Sequence, residues 1–135
     1  MSGDVLTGGC LCGAIRYRAE GPVINVNHCH CEMCRRASGA IAATWAAVPV
    51  AGFSTSGATP AEFRASDFAT RSFCAKCGST LFWKRDGAAK IDLSVGTIDD
   101  AGAIGAGRHD WVEGRLGGFV LDAHLPAFRA DGTKA

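Results

Sequence analysis

The chain contains no apolar run near the ~20 residues that a membrane-spanning helix requires. It has no block of like charge either: 14 lysines and arginines stand against 13 aspartates and glutamates, a net charge of +1. No membrane helix is therefore expected, and nothing argues for nucleic acid or an anionic membrane surface as a partner held by bulk electrostatics. The opening Met1-Ser2-Gly3-Asp4 lacks the basic start and apolar stretch of a signal peptide, so a reducing, cytoplasmic setting is expected. Internal repeats, low-complexity tracts and domain-splitting linkers are also missing. The 135 residues are expected to form one domain, 1–135.

Glycine and cysteine are what the chain has in plenty. Eighteen glycines favour short strands joined by turns over long helices. Ile15 and Tyr17 alternate with Arg16 and Arg18, and Ile91, Leu93 and Val95 with Asp92 and Ser94, each pattern predicting a strand with one wet face. Residues 41–50 are apolar almost throughout and are bounded by Gly39 and Gly52, which predicts a buried strand. Glu32 to Ser38 reads as a short helix or a single turn, stopped by Gly39. Turns fall at Gly57, Pro60, Asp86-Gly87, Asp99-Asp100 and 102–107. The expected class is mainly β, antiparallel, with at most short helical turns.

The seven cysteines form three clusters: Cys10 and Cys12; Cys29, Cys31 and Cys34; Cys74 and Cys77. In a reducing compartment such spacing reads as metal ligands or redox centres before disulfides, and an odd count leaves one thiol over in any all-disulfide scheme. Cys10, Cys12, Cys74 and Cys77 supply four thiolates, enough to close a tetrahedral structural zinc site that clamps two distant segments. The alternatives are four buried structural thiols or a redox dithiol, and no strand–helix alternation supports the latter. Cys29, Cys31 and Cys34 supply only three. A zinc there keeps an open position unless His28 closes it as a structural Cys₃His site; His30, between two ligands, is the poorer candidate. Three thiolates make a weak Lewis acid suited to a further sulfur, so thiol addition to a small carbonyl compound is the natural reaction class.

At these residues the chain resembles the glutathione-dependent formaldehyde-activating enzyme family, also called the centromere-protein-V-like domain. The matching stretches are 8–17, 29–36, Gly39-Ala40 and 71–79, followed by His109 with Trp111-Val112 and by Leu125 to Phe128. The resemblance covers about residues 5 to 128. It implies a β-tent of packed antiparallel sheets with zinc-binding knuckles. It also implies one structural zinc on Cys10, Cys12, Cys74 and Cys77 and a second, catalytic zinc on Cys29, Cys31 and Cys34. The implied activity is carbon–sulfur lyase chemistry, the reversible joining of formaldehyde to glutathione.

Against that frame Arg35 and Arg36 are candidates to bind glutathione carboxylates, with solvated surface arginines as the plainer reading. His109 is a candidate general base, with a partly buried strand histidine as its alternative. Trp45, Trp83 and Trp111 read as core rather than as a ligand platform. A non-catalytic zinc module that binds a thiol peptide or a protein partner is the competing function, and a zinc reservoir or redox sensor the third.

Overall fold

A computed structural model describes residues 5–135, so the expectation placed on Met1 to Asp4 lies outside the described residues. The chain is mostly β, and its described residues form two sheets. The smaller contains β1 (Val5–Gly9), β2 (Ile15–Glu20) and β5 (Phe53–Gly57), in the order β1-β2-β5. The larger contains β3 (Asn25–Cys29), β4 (Ala43–Pro49), β6 (Ala61–Arg64), β7 (Ala69–Phe73), β8 (Thr80–Arg85), β9 (Lys90–Ser94) and β10 (Arg108–Asp110). Its order is β10-β3-β4-β9-β8-β7-β6. Among the described residues a single α-helix, α1 (Glu32–Ser38), follows β3. No helix among the described residues is long and apolar enough to cross a membrane.

The strands form where the alternation demands them. In β2, Ile15, Tyr17 and Ala19 are buried while Arg16, Arg18 and Glu20 face water. Ile91 and Leu93 of β9 are buried in the same way. β4 reads as a continuous apolar run because it lies inside the larger sheet and is covered on both faces. Its Ala46 and Val48 join the core between the sheets, and its Ala43 and Trp45 join a second cluster with Cys29 and Cys34.

Between the sheets Tyr17, Phe53 and Phe82 stack edge to face or tilted, with Phe82 5.3 Å from Tyr17 and 4.9 Å from Phe53. Leu81 and Leu93 are fully buried beside them, and truncation of either to alanine costs about 2–5 kcal/mol. The larger sheet thus has two jobs. One face closes this core, and the other carries the clustered cysteines.

Two details differ from the expectation. β10 pairs with β3 in parallel, His109 opposite His28 and Asp110 opposite Cys29, so the sheets are not antiparallel throughout. β9 ends at Ser94, and Val95 opens a 3₁₀ turn instead of extending the strand. The short helix is as read from the sequence: Gly39 at φ +74° donates its N–H to Arg35 O and ends α1.

Candidate metal centres

Cys10 follows β1, and Cys12 lies in the turn before β2, where Gly13 N donates to Cys10 O (3.1 Å). Cys74 and Cys77 occupy the turn between β7 and β8, closed by Gly78 N donating to Cys74 O (2.7 Å). Gly78 takes φ +80° there, a conformation open to a residue without Cβ. Cys10 Sγ stands 3.6 Å from Cys12 Sγ, and Cys12 Sγ 3.8 Å from Cys74 Sγ. All four sulfurs lie within 4.8 Å of one another. Zinc–sulfur bonds of about 2.3 Å in a tetrahedron give edges of about 3.8 Å, so the group fits a zinc ion.

Backbone donors reach two of the sulfurs: Ile15 N donates to Cys10 Sγ at 3.3 Å and Cys77 N to Cys74 Sγ at 3.4 Å. Ser79 Oγ lies 3.2 Å from Cys77 Sγ and accepts from Leu11 N at 2.9 Å, which joins the two halves. The same hydroxyl is the main reason that the Cys77 thiol is lowered to about 5.

Cys29, Cys31 and Cys34 form the second group, again within 4.8 Å of one another. Cys29 ends β3, and Cys31 is the N-cap of α1, its sulfur accepting from Cys34 N at 3.2 Å. One helical turn then carries Cys34 back toward Cys29. Cys29 and Cys34 are buried. Hydrogen bonds within the trio push the Cys29 thiol up and the Cys34 thiol down, the latter helped by Arg71 of β7. Arg71 is itself buried, and its Nη2 donates to Cys34 Sγ at 3.5 Å. A guanidinium beside three thiolates offsets the net negative charge of a zinc–thiolate trio, so the donor set and its surroundings fit the ion.

The trio opens into a cleft of about 680 Å³. Trp45 and Trp83 form its floor with the cysteines, and Met33, Phe68 and Trp111 border it. Trp111 holds a left-handed backbone, φ +57°, rare for a side chain of its bulk. Thus the tryptophans read as core from the sequence line the cleft. Sequence reasoning also missed Arg71 and Asp92, which line it too. Arg71 carried a signal in hindsight, standing three residues before Cys74 on the strand that leads to it.

The other candidates are placed elsewhere. His28 Nε2 donates to Asp122 Oδ2 (2.7 Å) and its Nδ1 meets Thr44 Oγ1 (2.8 Å), so neither nitrogen joins the cysteine trio. His109 is 1% exposed and does not border the cleft. Its Nε2 lies 2.9 Å from Asp122 O, a carbonyl that only accepts, and its Nδ1 2.8 Å from His30 Nε2. Nε2 therefore donates to that carbonyl, and Nδ1 pairs with His30. Burial, followed by His109, lowers His30 to about 4. Arg36 pairs with Glu32 across one turn of α1 at 2.8 Å, Arg35 is half-buried, and neither borders the cleft.

Comparison with known proteins gives a family, a relative and a fold. A family model described as glutathione-dependent formaldehyde-activating enzyme matches residues 5–114. An uncharacterized lyase of Schizosaccharomyces pombe is 32% identical over 83 residues, 56% of this chain and 55% of that protein. The chain therefore spans about half the length of the curated relative it matches. The crystal structure of a Rhodobacter sphaeroides protein superposes with a TM-score of 0.59 at 20% identity, over 69% of this chain and 87% of that one, a likeness of fold.

Proposed function

The chain belongs to the glutathione-dependent formaldehyde-activating enzyme family, and on that premise we propose that it is a zinc-dependent carbon–sulfur lyase. It catalyses the reversible addition of a thiol, glutathione or a similar one, to formaldehyde or another small aldehyde. The observation that carries this reading is the trio of Cys29, Cys31 and Cys34 in a cleft, whose sulfurs lie within 4.8 Å of one another with no histidine nitrogen or carboxylate oxygen grouped with them as a fourth ligand among the described residues.

Cys10, Cys12, Cys74 and Cys77 hold a structural zinc in this proposal, and Cys29, Cys31 and Cys34 hold the second. A zinc ion at the trio, with a position left open, would lower the pKa of an incoming thiol and fix its sulfur in place. The rest of the work falls to the chain's own residues. Arg71 offsets the negative charge of the trio. Trp45 and Trp83 exclude water from the reacting atoms, and the exposed rim admits the body of the thiol. Arg85 and Lys90 border the cleft and take the place of Arg35 and Arg36 as partners for substrate carboxylates. His109 serves as a strut that ties β10 to His30 and to the 122 carbonyl.

Cobalt substitution tests the open position. Titration of the cobalt-loaded protein with glutathione should add thiolate charge-transfer intensity that saturates, and the response should vanish in Cys34→Ser. A spectrum that is complete before glutathione is added, and indifferent to it, would mean that the second site is closed by protein ligands.

A further inference from the structure

The floor of the cleft holds a carboxyl that the reaction outlined above does not use. β9 turns Ile91 and Leu93 into the core between the sheets, which puts Asp92 on the opposite face. Register sets it in one row across the larger sheet, with Asn25 of β3, Ala47 of β4, Trp83 of β8 and Arg71 of β7. Ala47 gives it a methyl group for a neighbour on one side, and Trp83 an indole on the other.

Three other carboxylates border the same cleft, and each is already engaged. Glu32 accepts from Arg36 Nε, Asp110 from Asn27 Nδ2 (2.6 Å) and Arg108 Nε (3.0 Å), and Glu113 from Ala130 N. Asp92 alone has no hydrogen bond or ion pair among the described residues. An unpartnered carboxyl on an apolar floor carries a desolvation penalty that asparagine or serine would avoid.

We propose that Asp92 is the proton-transfer residue of the thiol–aldehyde reaction, an inference that rests on the function assigned to the cysteine trio. The carboxylate takes the proton that the thiol sheds. The sulfur lone pair forms the carbon–sulfur bond, the carbonyl π pair moves onto oxygen, and that oxygen receives the proton from Asp92. The residue ends as it began, and no other reactant is consumed. In the reverse direction the carboxylate takes the hydroxyl proton, the carbonyl re-forms, and the carbon–sulfur pair leaves on sulfur.

Burial raises the Asp92 carboxyl to about 6, with Cys34 raising it further and Lys90 opposing. A proton carrier with such a value exchanges readily near neutral pH. Lys90 stands on its own strand, Arg85 on β8 and Arg71 on β7, while β4 brings no ionisable group to this face. Cys29, Cys31 and Cys34 line the same cleft, as do Asp110, Glu32 and Glu113.

The test pairs a direct titration with kinetics. In zinc-loaded protein carrying ¹³C at the aspartate Cγ atoms, one resonance should titrate with a midpoint near 6 and be missing from Asp92→Asn. Thiol–aldehyde exchange by the wild type should rise with pH through the same midpoint. In the variant, which retains both zinc ions, it should fall by about 10²-fold or more and lose that rise. A resonance that titrates at the ordinary carboxyl value, or a variant with unchanged exchange and pH profile, would overturn the proposal alone. A wild-type protein without exchange activity would overturn the lyase reading, and this proposal with it.

Discussion

Arg71 Nη2 lies 3.5 Å from Cys34 Sγ, a buried contact that ties β7 to the first turn of α1. The two residues are 37 positions apart in the chain. Outer-shell partners of metal ligands commonly contribute 10–100-fold to affinity. Arg71→Met should therefore weaken zinc at the three-cysteine site by about that factor and leave the four-cysteine site filled. Competition with a chromophoric chelator reads both sites, and two undisturbed affinities would remove Arg71 from the metal's surroundings.

The two cysteine groups should respond differently to loss of one thiol. Structural zinc binding contributes about 10–16 kcal/mol in small zinc-finger peptides, comparable with the entire stability of a domain. The site on Cys10, Cys12, Cys74 and Cys77 joins the start of the fold to the turn between β7 and β8. Cys74→Ser should accordingly fail to fold, or unfold on mild chelation. Cys34→Ser should keep the fold and lose one zinc. Circular dichroism with metal analysis of both variants decides this, and a Cys74→Ser chain that stays folded under chelation would contradict it.

Asp92 should cost stability at neutral pH. Its folded value, about 6, lies above the ordinary 3.8, so the fold disfavours its charged form. The contribution it makes is full below pH 3.8 and lost as pH rises through 6. Asp92→Asn should then be more stable than the wild type near neutral pH, by up to about 2 kcal/mol, with the gap closing near pH 4. Urea midpoints at the two pH values measure it, and a gap independent of pH would show that the carboxyl is not perturbed.

Much of this fold can be read from residue order, and the reasons are local. Alternation in β2 and β9 is enforced by one buried face, and the short helix is set by Gly39 at its end. Both cysteine groups are legible because their members are close in sequence or share one redox logic. What stayed hidden depends on pairings between distant segments. Three residues of β10 are too few to reveal a parallel partner. Asp99, which reads as part of a plain turn, binds Arg16 and accepts from Thr7 Oγ1 at 2.8 Å, partners more than eighty residues away. Asp92 reads as the wet face of its strand, and only the packing of Trp45 and Trp83 turns that face into a cleft.

His109 should behave as a structural residue. Removal of a fully buried ring with hydrogen bonds at both nitrogens costs on the order of 3 kcal/mol. His109→Ala should melt at a lower temperature while the dependence of exchange on pH keeps its shape. An ionisation lost from that profile at unchanged melting temperature would return His109 to the chemistry.

The central claim is that the open zinc of the cysteine trio joins a thiol to an aldehyde. Exchange NMR on glutathione and formaldehyde addresses it directly, with the zinc-loaded protein and its Cys34→Ala variant compared at equal concentration. The account predicts interconversion accelerated by the intact protein and returned to the background rate by the variant. Equal rates with and without the protein, or acceleration that survives loss of Cys34, would contradict it.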